Sequence, residues 1–373
     1  MRVWIQNPFD NLPSEGYRKQ RFFLMAEAFA RAGHDTTLWT ADFSHGTKQF
    51  HRDAPERIGD VRLKLVPTLP YRSNVCLARV RSHAAYAKEW MRLASGEPAP
   101  NAIVASTPTV SGAEAAIQLG RVHNAFVAID VMDAWPETFE RLAPPLLRPV
   151  ARLALAPLRR RARSVYRDAG MVSGVCERYR ALSGRDDFYL AYHGVEMPSS
   201  PPPMKDGHLR FAYIGGTGRT YDLDTVIEGV HRIPGATLDI AGNWNGKCDS
   251  SVMCHGYLGE DALRAMLDKC SVGVIPMEDD SWVGLPYKLG DYARAGLRIL
   301  TSLGGECRAI VERHRAGAWY APHDPAAFAS TAARLSSACD AASYRGLQQA
   351  LDAAGIYAAY VRKVEQEVGR TRR

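Results

Sequence analysis

Short apolar runs recur along the chain, each followed by a stretch whose apolar positions repeat at three and four residues. A run without polar alternation marks a strand buried on both faces, and the longer period marks an amphipathic helix. In the first half, strands are expected at 2–6, 35–40, 62–66, 102–105, 126–130, 170–173 and 188–192, with helices at 80–94 and 112–119. Between the first two strands, Phe22, Phe23, Met25, Ala26 and Phe29 make one apolar stripe that ends before Gly33, the pattern of a sheet-packed helix stopped by glycine. Alternation of this kind predicts a doubly wound parallel α/β sheet.

The polar stretch 198–207, PSSPPPMKDG, holds too much proline for a helix or a central strand and reads as a linker over 199–207. Beyond it the pattern restarts, with strands at 209–214, 237–241, 252–255, 271–276, 298–301 and 318–320 and helices at 223–231, 261–269, 285–295 and 307–313. Two domains follow, 1–198 and 208–353, with a last helix at about 354–369 inside a tail of 354–373. A chain of 373 residues also exceeds what one hydrophobic core usually supports.

Charge and cysteine content narrow the picture. Residues 1–198 carry 27 Lys or Arg against 20 Asp or Glu, whereas 199–373 carry 20 against 20, so the whole excess of +7 is N-terminal. Much of it lies in 144–167, where Arg148, Arg152, Arg159, Arg160, Arg161, Arg163 and Arg167 interleave with leucine and alanine. Such a segment can rest on anionic lipid or form proline-broken helices with their basic sides in water. Nucleic acid is not an expected partner, because no aromatic interleaving or binding motif accompanies the arginines. No apolar run is long enough to span a bilayer and the chain enters its first strand at Arg2, so a cytoplasmic start is expected. The seven cysteines lack a C-x-x-C pair and are expected as reduced thiols. Cys248 and Cys254 near His255 lack the second ligand pair that a metal site needs.

Three places carry candidate chemistry. In 284–300, GLPYKLGDYARAGLRIL, Pro286 favours a first helical turn, Leu289, Tyr292 and Ala293 make an apolar face, and Gly296 suits the C-terminal cap. Lys288 and Asp291 then lie one turn apart outside the carboxyl end of a strand, where open α/β sheets bind phosphorylated ligands. The lysine can neutralise a diphosphate and the carboxylate can accept sugar hydroxyls, although a surface Lys–Asp pair has the same spacing. The turn Gly215-Gly216-Thr217-Gly218-Arg219 lets backbone amides approach phosphate, with Arg219 adding charge. As a dinucleotide fingerprint it fails: counted from Gly216, the third glycine falls on Tyr221, and Asp239 lies inside a strand, so a dehydrogenase is the weaker reading. Asp130 and Asp133 stand in the segment 126–139, where the apolar strand 126–130 empties into an acidic loop, a position that raises a carboxylate's pKa and suits a general base. The structural alternative is a turn cap at Asp133 and a core tryptophan at Trp135.

Taken in order, these segments resemble the GT-B glycosyltransferases, particularly family 4 and its bacterial surface-polysaccharide relatives. Pro286, Lys288, Leu289, Asp291, Tyr292, Ala293, Gly296, Arg298, Ile299 and Leu300 read against the family pattern P-x-K-L-x-E-Y-x-A-x-G-x-P-V-I, with Ala293 one place before its alanine and Arg298 in the place of its second proline. Asp291 replaces its glutamate, and Val283 stands where the commoner family pair has its first glutamate. The Asp133 segment, D-x-W-P-E, also resembles a motif common in these transferases. The resemblance implies an α/β GT-B fold, two Rossmann-like doubly wound parallel-sheet domains facing a cleft, the first binding acceptor, the second nucleotide sugar, and the tail helix crossing back to the first.

It further implies donor contacts at Gly215, Gly216, Thr217, Arg219 and Gly242, base contacts at Tyr257 and Leu258, and donor contacts at Pro286, Tyr287, Lys288, Leu289 and Asp291. Asp133, with Asp130 second, is the implied catalytic carboxylate. Gly16, Tyr17 and Arg18, with Lys19 and Arg21 beside them, make the implied acceptor loop. Many retaining relatives carry histidine where this chain has Met132, which leaves the stereochemical course open. The expected activity is a metal-independent transfer, without cofactor, from a nucleoside-diphosphate sugar, UDP-sugar foremost. The acceptor is a saccharide or lipid-linked saccharide of bacterial polysaccharide or lipopolysaccharide synthesis, handled in the cytoplasm or peripherally at the inner membrane. The alternatives are a GT-B-like epimerase or phosphorylase, and a noncatalytic nucleotide-binding membrane scaffold.

Overall fold

The computed structural model describes residues 1–52, 54–205, 207–218, 220–277 and 282–371. The chain divides into two compact units, Met1–Tyr192 with Tyr357–Arg373, and His193–Ile356.

In the first unit the strands are β1 (Arg2–Gln6), β2 (Asp35–Ala41), β3 (Arg57–Ile58), β4 (Val61–Val66), β5 (Ala102–Thr107), β6 (Phe126–Val131), β7 (Met171–Gly174) and β8 (Tyr189–Leu190). They form one sheet in the order β3-β4-β2-β1-β5-β6-β7-β8. Every pairing is parallel except the short β3–β4 hairpin. β5 and β6 are buried at every position, which is why they read as unbroken apolar runs. The strand order reverses between β1 and β5, so the loops at their carboxyl ends open a crevice there. The expected apolar stripe is the buried face of the helix Arg21–Arg31, and Gly33 closes its end at φ +83°. The tail helix Ala353–Thr371 packs in this unit through His34 to Glu365 (2.9 Å) and Tyr360 to Ser173 (3.1 Å). The arginine-rich segment forms two helices, Arg148–Ala154 and Ala156–Asp168.

In the second unit, β9 (Arg210–Ile214), β10 (Thr237–Ala241), β11 (Val252–Gly256), β12 (Val272–Ile275), β13 (Arg298–Thr301) and β14 (Gly317–Trp319) form a wholly parallel sheet. Its order is β11-β10-β9-β12-β13-β14, with the reversal between β9 and β12. Phe211, Tyr213 and Ile240 lie in its core with Val226 and Val230 of the helix Leu223–His231 and Phe328 of the helix Pro325–Ala333.

Several expectations need correction. The division falls after Tyr192, and the proline stretch packs into the second unit instead of standing free. Gln348 donates to the Pro202 carbonyl (3.0 Å) and the Lys205 amide to Gly296 (2.7 Å), because prolines that cannot donate still offer carbonyls. Cys248 and Cys254 are not free thiols but form a disulfide (S–S 2.03 Å). The helix expected over 285–295 spans only Lys288–Arg294, since the bonds from Leu289 to Pro286 and from Gly290 to Tyr287 are i to i+3 turns. No described helix is long and apolar enough to cross a membrane.

Candidate functional site

In the second unit the candidate residues gather at the carboxyl ends of β9 and β12. β9 breaks at Gly215, whose φ of +114° is open to glycine, and the Gly215 amide donates to Ala241 (2.9 Å). Gly242 sits against it at φ +146°; a Cβ there would lie 2.0 Å from the Gly215 carbonyl oxygen. The two strand ends therefore approach so closely that Gly242 has no room for a side chain, while Gly215 is held to glycine by its φ. Tyr213 donates its hydroxyl to the Gly216 carbonyl, and Thr217 donates to the Asn243 carbonyl (3.0 Å), which holds the turn in shape.

Lys288 opens the Lys288–Arg294 helix and is 7% exposed. Its Nζ lies 4.1 Å from the Tyr213 ring and 4.0 Å from the Tyr221 ring, with no hydrogen-bond partner among the described residues. A Cβ on Gly215 would be 3.8 Å from that Nζ, so the nitrogen lies beside the glycine turn. Burial pushes the lysine pKa down to about 7, against the opposing charge of Asp291. Tyr221 reaches this place because it bridges Met277 just past β12 while the Asp222 amide donates to Pro276 (2.8 Å). Tyr292 ties the helix to both strands, accepting from the Ile214 amide (3.2 Å) and donating to the Val274 carbonyl (3.1 Å).

Asp291 is buried one turn from Lys288, and Pro286 is buried before them. Tyr287 is half-buried and stacks on His193 at 3.8 Å. Leu289 is a correction: at zero exposure it belongs to the core and presents no side chain to a ligand. Tyr257 is 85% exposed and Leu258 half-buried, while Arg219 lies outside the described residues. Asp239 is held inside β10 by Arg210 (2.7 and 3.0 Å) and His255 (2.8 Å).

In the first unit the two candidate carboxylates separate. Asp130 is fully buried and accepts from Nε and a terminal nitrogen of Arg21 (both 2.8 Å) and from the Ser173 hydroxyl (2.6 Å). A carboxylate closed in this way cannot reach an acceptor hydroxyl, so Asp130 is removed from the catalytic candidates. Arg21 leaves the acceptor loop for the same reason; it also donates to the Tyr192 carbonyl (2.7 Å).

Asp133 follows β6 half-buried and accepts from the Ala134 amide (2.8 Å), Trp135 Nε1 (3.1 Å) and the Thr138 hydroxyl (3.3 Å). Burial raises its pKa, while those donors and the nearby Arg79 guanidinium lower it. Capping a turn and facing a cation thus coexist at one carboxylate. Gly16, at φ +82°, and Tyr17 are exposed and Arg18 is half-buried; Lys19 pairs with Glu27 (2.8 Å). Sequence reasoning missed Tyr221 and Arg79, which sit on a turn and a helix start and carry no motif, whereas Tyr213 opens the Y-x-G-x-x-G-R run of the glycine turn.

Residues 210–338 match the family model described as "Glycosyl transferases group 1". Among solved structures, a sucrose-phosphate synthase from Thermosynechococcus elongatus is similar over 99% of this chain and 96% of its own, at 14% identity and TM-score 0.67. The catalytic domain of starch synthase IV from Arabidopsis thaliana, bound to ADP and acarbose, is similar over 99% of both chains at 9% identity and TM-score 0.64. The fold is that of the GT-B glycosyltransferases. HepE of Anabaena, in complex with UDP-glucose, is similar over 100% of this GT-B chain and 99% of its own, at 9% identity and TM-score 0.58. No curated protein matches the chain significantly. In the GT-B frame, the glycine turn and Lys288 stand at the strand-order reversal of the second unit's sheet, and Asp133 at a carboxyl strand end of the first. Among the described residues, no group of three or more His, Cys, Asp or Glu side chains is placed to hold a metal ion.

Proposed function

We propose that this GT-B chain transfers a sugar from a nucleoside-diphosphate donor, a UDP-sugar foremost, to a saccharide or lipid-linked saccharide acceptor, without a metal ion. The observation that carries this reading is Lys288: a buried amine between two aromatic faces, without a hydrogen-bond partner among the described residues, beside the glycine turn at Gly215. A diphosphate would supply the missing charge, and the glycines leave room for its oxygens at the backbone. The UDP-glucose of HepE and the ADP of starch synthase IV support the same ligand class. Asp291, one turn along, would accept sugar hydroxyls.

Asp133 is the proposed base. It takes the proton of the acceptor hydroxyl as that oxygen bonds to the anomeric carbon, and the nucleoside diphosphate leaves with the electron pair of the broken bond. Direct proton capture by Asp133 gives inversion; capture by the leaving diphosphate gives retention. The test is a scan of nucleotide sugars for thermal stabilisation followed by turnover of Asp133→Asn. The expected result is stabilisation by one donor class, with transfer abolished and donor affinity kept in the variant. Near-normal turnover in Asp133→Asn would overturn its assignment as base, and no stabilisation by any donor would overturn the transferase reading.

A peripheral membrane contact belongs to the same proposal, but through leucine and not through the arginine triplet. Arg159 is paired with Glu137 (2.9 Å) and Glu140 (3.0 Å) and Arg161 with Glu114, whereas Leu146 is 93% and Leu153 77% exposed. Exposed leucines on short helices within a basic segment match an anionic bilayer surface, into which apolar side chains insert while arginines remain at the headgroups.

A further inference from the structure

The loops that follow β1, β2, β4 and β6 in the first unit bring together a second set of groups that the transfer reading does not use. Arg79, near the start of the helix Leu77–Ala94, lies with its guanidinium carbon 4.6 Å from the Trp135 ring and 5.5 Å from the Phe9 ring. One terminal nitrogen donates to the Asn74 carbonyl (2.7 Å), and its Nε is buried with no partner among the described residues. Lys48 stands in the same cluster, 5.0 Å above the Tyr71 ring, and donates to Asn74 Oδ1 (2.7 Å). Lys48 holds this place at φ +59°, a conformation that only glycine adopts freely.

The charge balance of this cluster is one-sided. His45 bonds Tyr71 (2.6 Å), and burial together with Arg79 pushes the pKa values of His45 and His83 down to about 3, so neither ring adds or removes charge near neutrality. Arg79 and Lys48 each lower the proton affinity of His45, and Arg79 lowers that of Lys48. Two cations are therefore held within each other's field. The carboxylate that faces Arg79 is Asp133, which already accepts three hydrogen bonds. A guanidinium flanked by aromatic faces suits a ligand with both an anionic group and an apolar ring face, because the fork pairs with two oxygens while the rings cover C–H groups.

We propose that Arg79, with Lys48, forms an anion subsite that selects an acidic saccharide, one bearing a carboxylate or a phosphate ester, as the acceptor. The proposal rests on the transferase reading for the word acceptor, but the subsite itself is defined by binding. Its place on the same loop cluster as Asp133 would let the anionic group orient a neighbouring hydroxyl toward that carboxylate.

The test is calorimetric binding to the full chain, without donor, of methyl glucoside, methyl glucuronide and glucose 6-phosphate. The expected result is that one or both acidic sugars bind about tenfold or more tightly than the neutral one, that the preference weakens with salt, and that Arg79→Met removes it. The relative affinity of glucuronide and phosphate ester identifies which anion is meant. Arg79→Lys should recover only part, since it keeps charge and loses the fork. Lys48→Met is the second variant should Arg79→Met fail to melt as a folded protein, and it should reduce the same preference. Equal binding of neutral and acidic sugars, or equal loss of both in Arg79→Met, would overturn the proposal. These outcomes are separable from failure of the transferase reading, which is read from donor stabilisation alone.

Discussion

Lys288→Met should make the ligand-free protein more stable, not less. The lysine pKa falls from 10.5 to about 7 on burial, a shift worth about 5 kcal/mol against the charged form. The faces of Tyr213 and Tyr221, at 4.1 and 4.0 Å, return about 2 kcal/mol of that through cation–π attraction. Methionine has a similar length and no charge, so the expected gain is about 3 kcal/mol at or below pH 7. The folded-state pKa lies below the unfolded one, so between pH 7 and 10.5 the unfolded chain binds more protons and wild-type stability rises with pH. The advantage of the variant should therefore be full at pH 6.5 and shrink steadily toward pH 10. Urea unfolding followed by tryptophan fluorescence across that range measures it. Donor binding should show the complementary effect: at pH 8 wild type takes up about one proton per bound diphosphate, seen as a dependence of calorimetric heat on buffer ionisation, and the variant takes up none. A variant less stable than wild type at pH 7, or a gain independent of pH, would refute the burial of an unpaired amine as the determining feature.

Asp130→Asn should destabilise the first unit by about 3–5 kcal/mol, since it leaves the fully buried Arg21 without its carboxylate, while donor stabilisation of the second unit persists; normal melting with lost transfer would return Asp130 to the catalytic candidates. Gly242→Ala should abolish donor-induced thermal stabilisation, because its Cβ would stand 2.0 Å from the Gly215 carbonyl and force the turn open; unchanged donor affinity would disconnect that turn from the ligand. Leu146→Ser with Leu153→Ser should reduce flotation with anionic vesicles severalfold, more than neutralising Arg159 and Arg161; the reverse order would point to electrostatic adsorption.

Where burial on both faces determines an element, the sequence was enough. β10 and β13 and the helix Leu223–His231 have the bounds their apolar periods suggest, and Asp222 caps that helix by accepting from the Thr225 amide (3.1 Å), a signal one turn long. The motif around Lys288 was legible for the same reason. Its helix came out shorter than expected because tight turns at Pro286 and Tyr287 use bonds that periodicity does not encode. The alanine-rich helices Pro325–Ala333 and Ala341–Ala350 were not expected, as alanine marks neither face strongly.

By itself, then, the chain determined its two parallel α/β units and the strand ends where chemistry gathers, because those depend on residues within a turn or a strand of one another. Which acid is sealed and which is poised could not be read locally. Asp130 lies near the end of β6 and Asp133 just past it, three residues on, and the arginine that closes the first lies 109 residues away. The same holds for Lys288, whose state depends on two tyrosines outside its own segment, and for Arg152, Arg159 and Arg161 of the arginine-rich helices, which pair with Glu140, Glu137 and Glu114. Ionisation and reactivity are set by desolvation and by the nearest opposite charge, and only tertiary packing decides what is nearest.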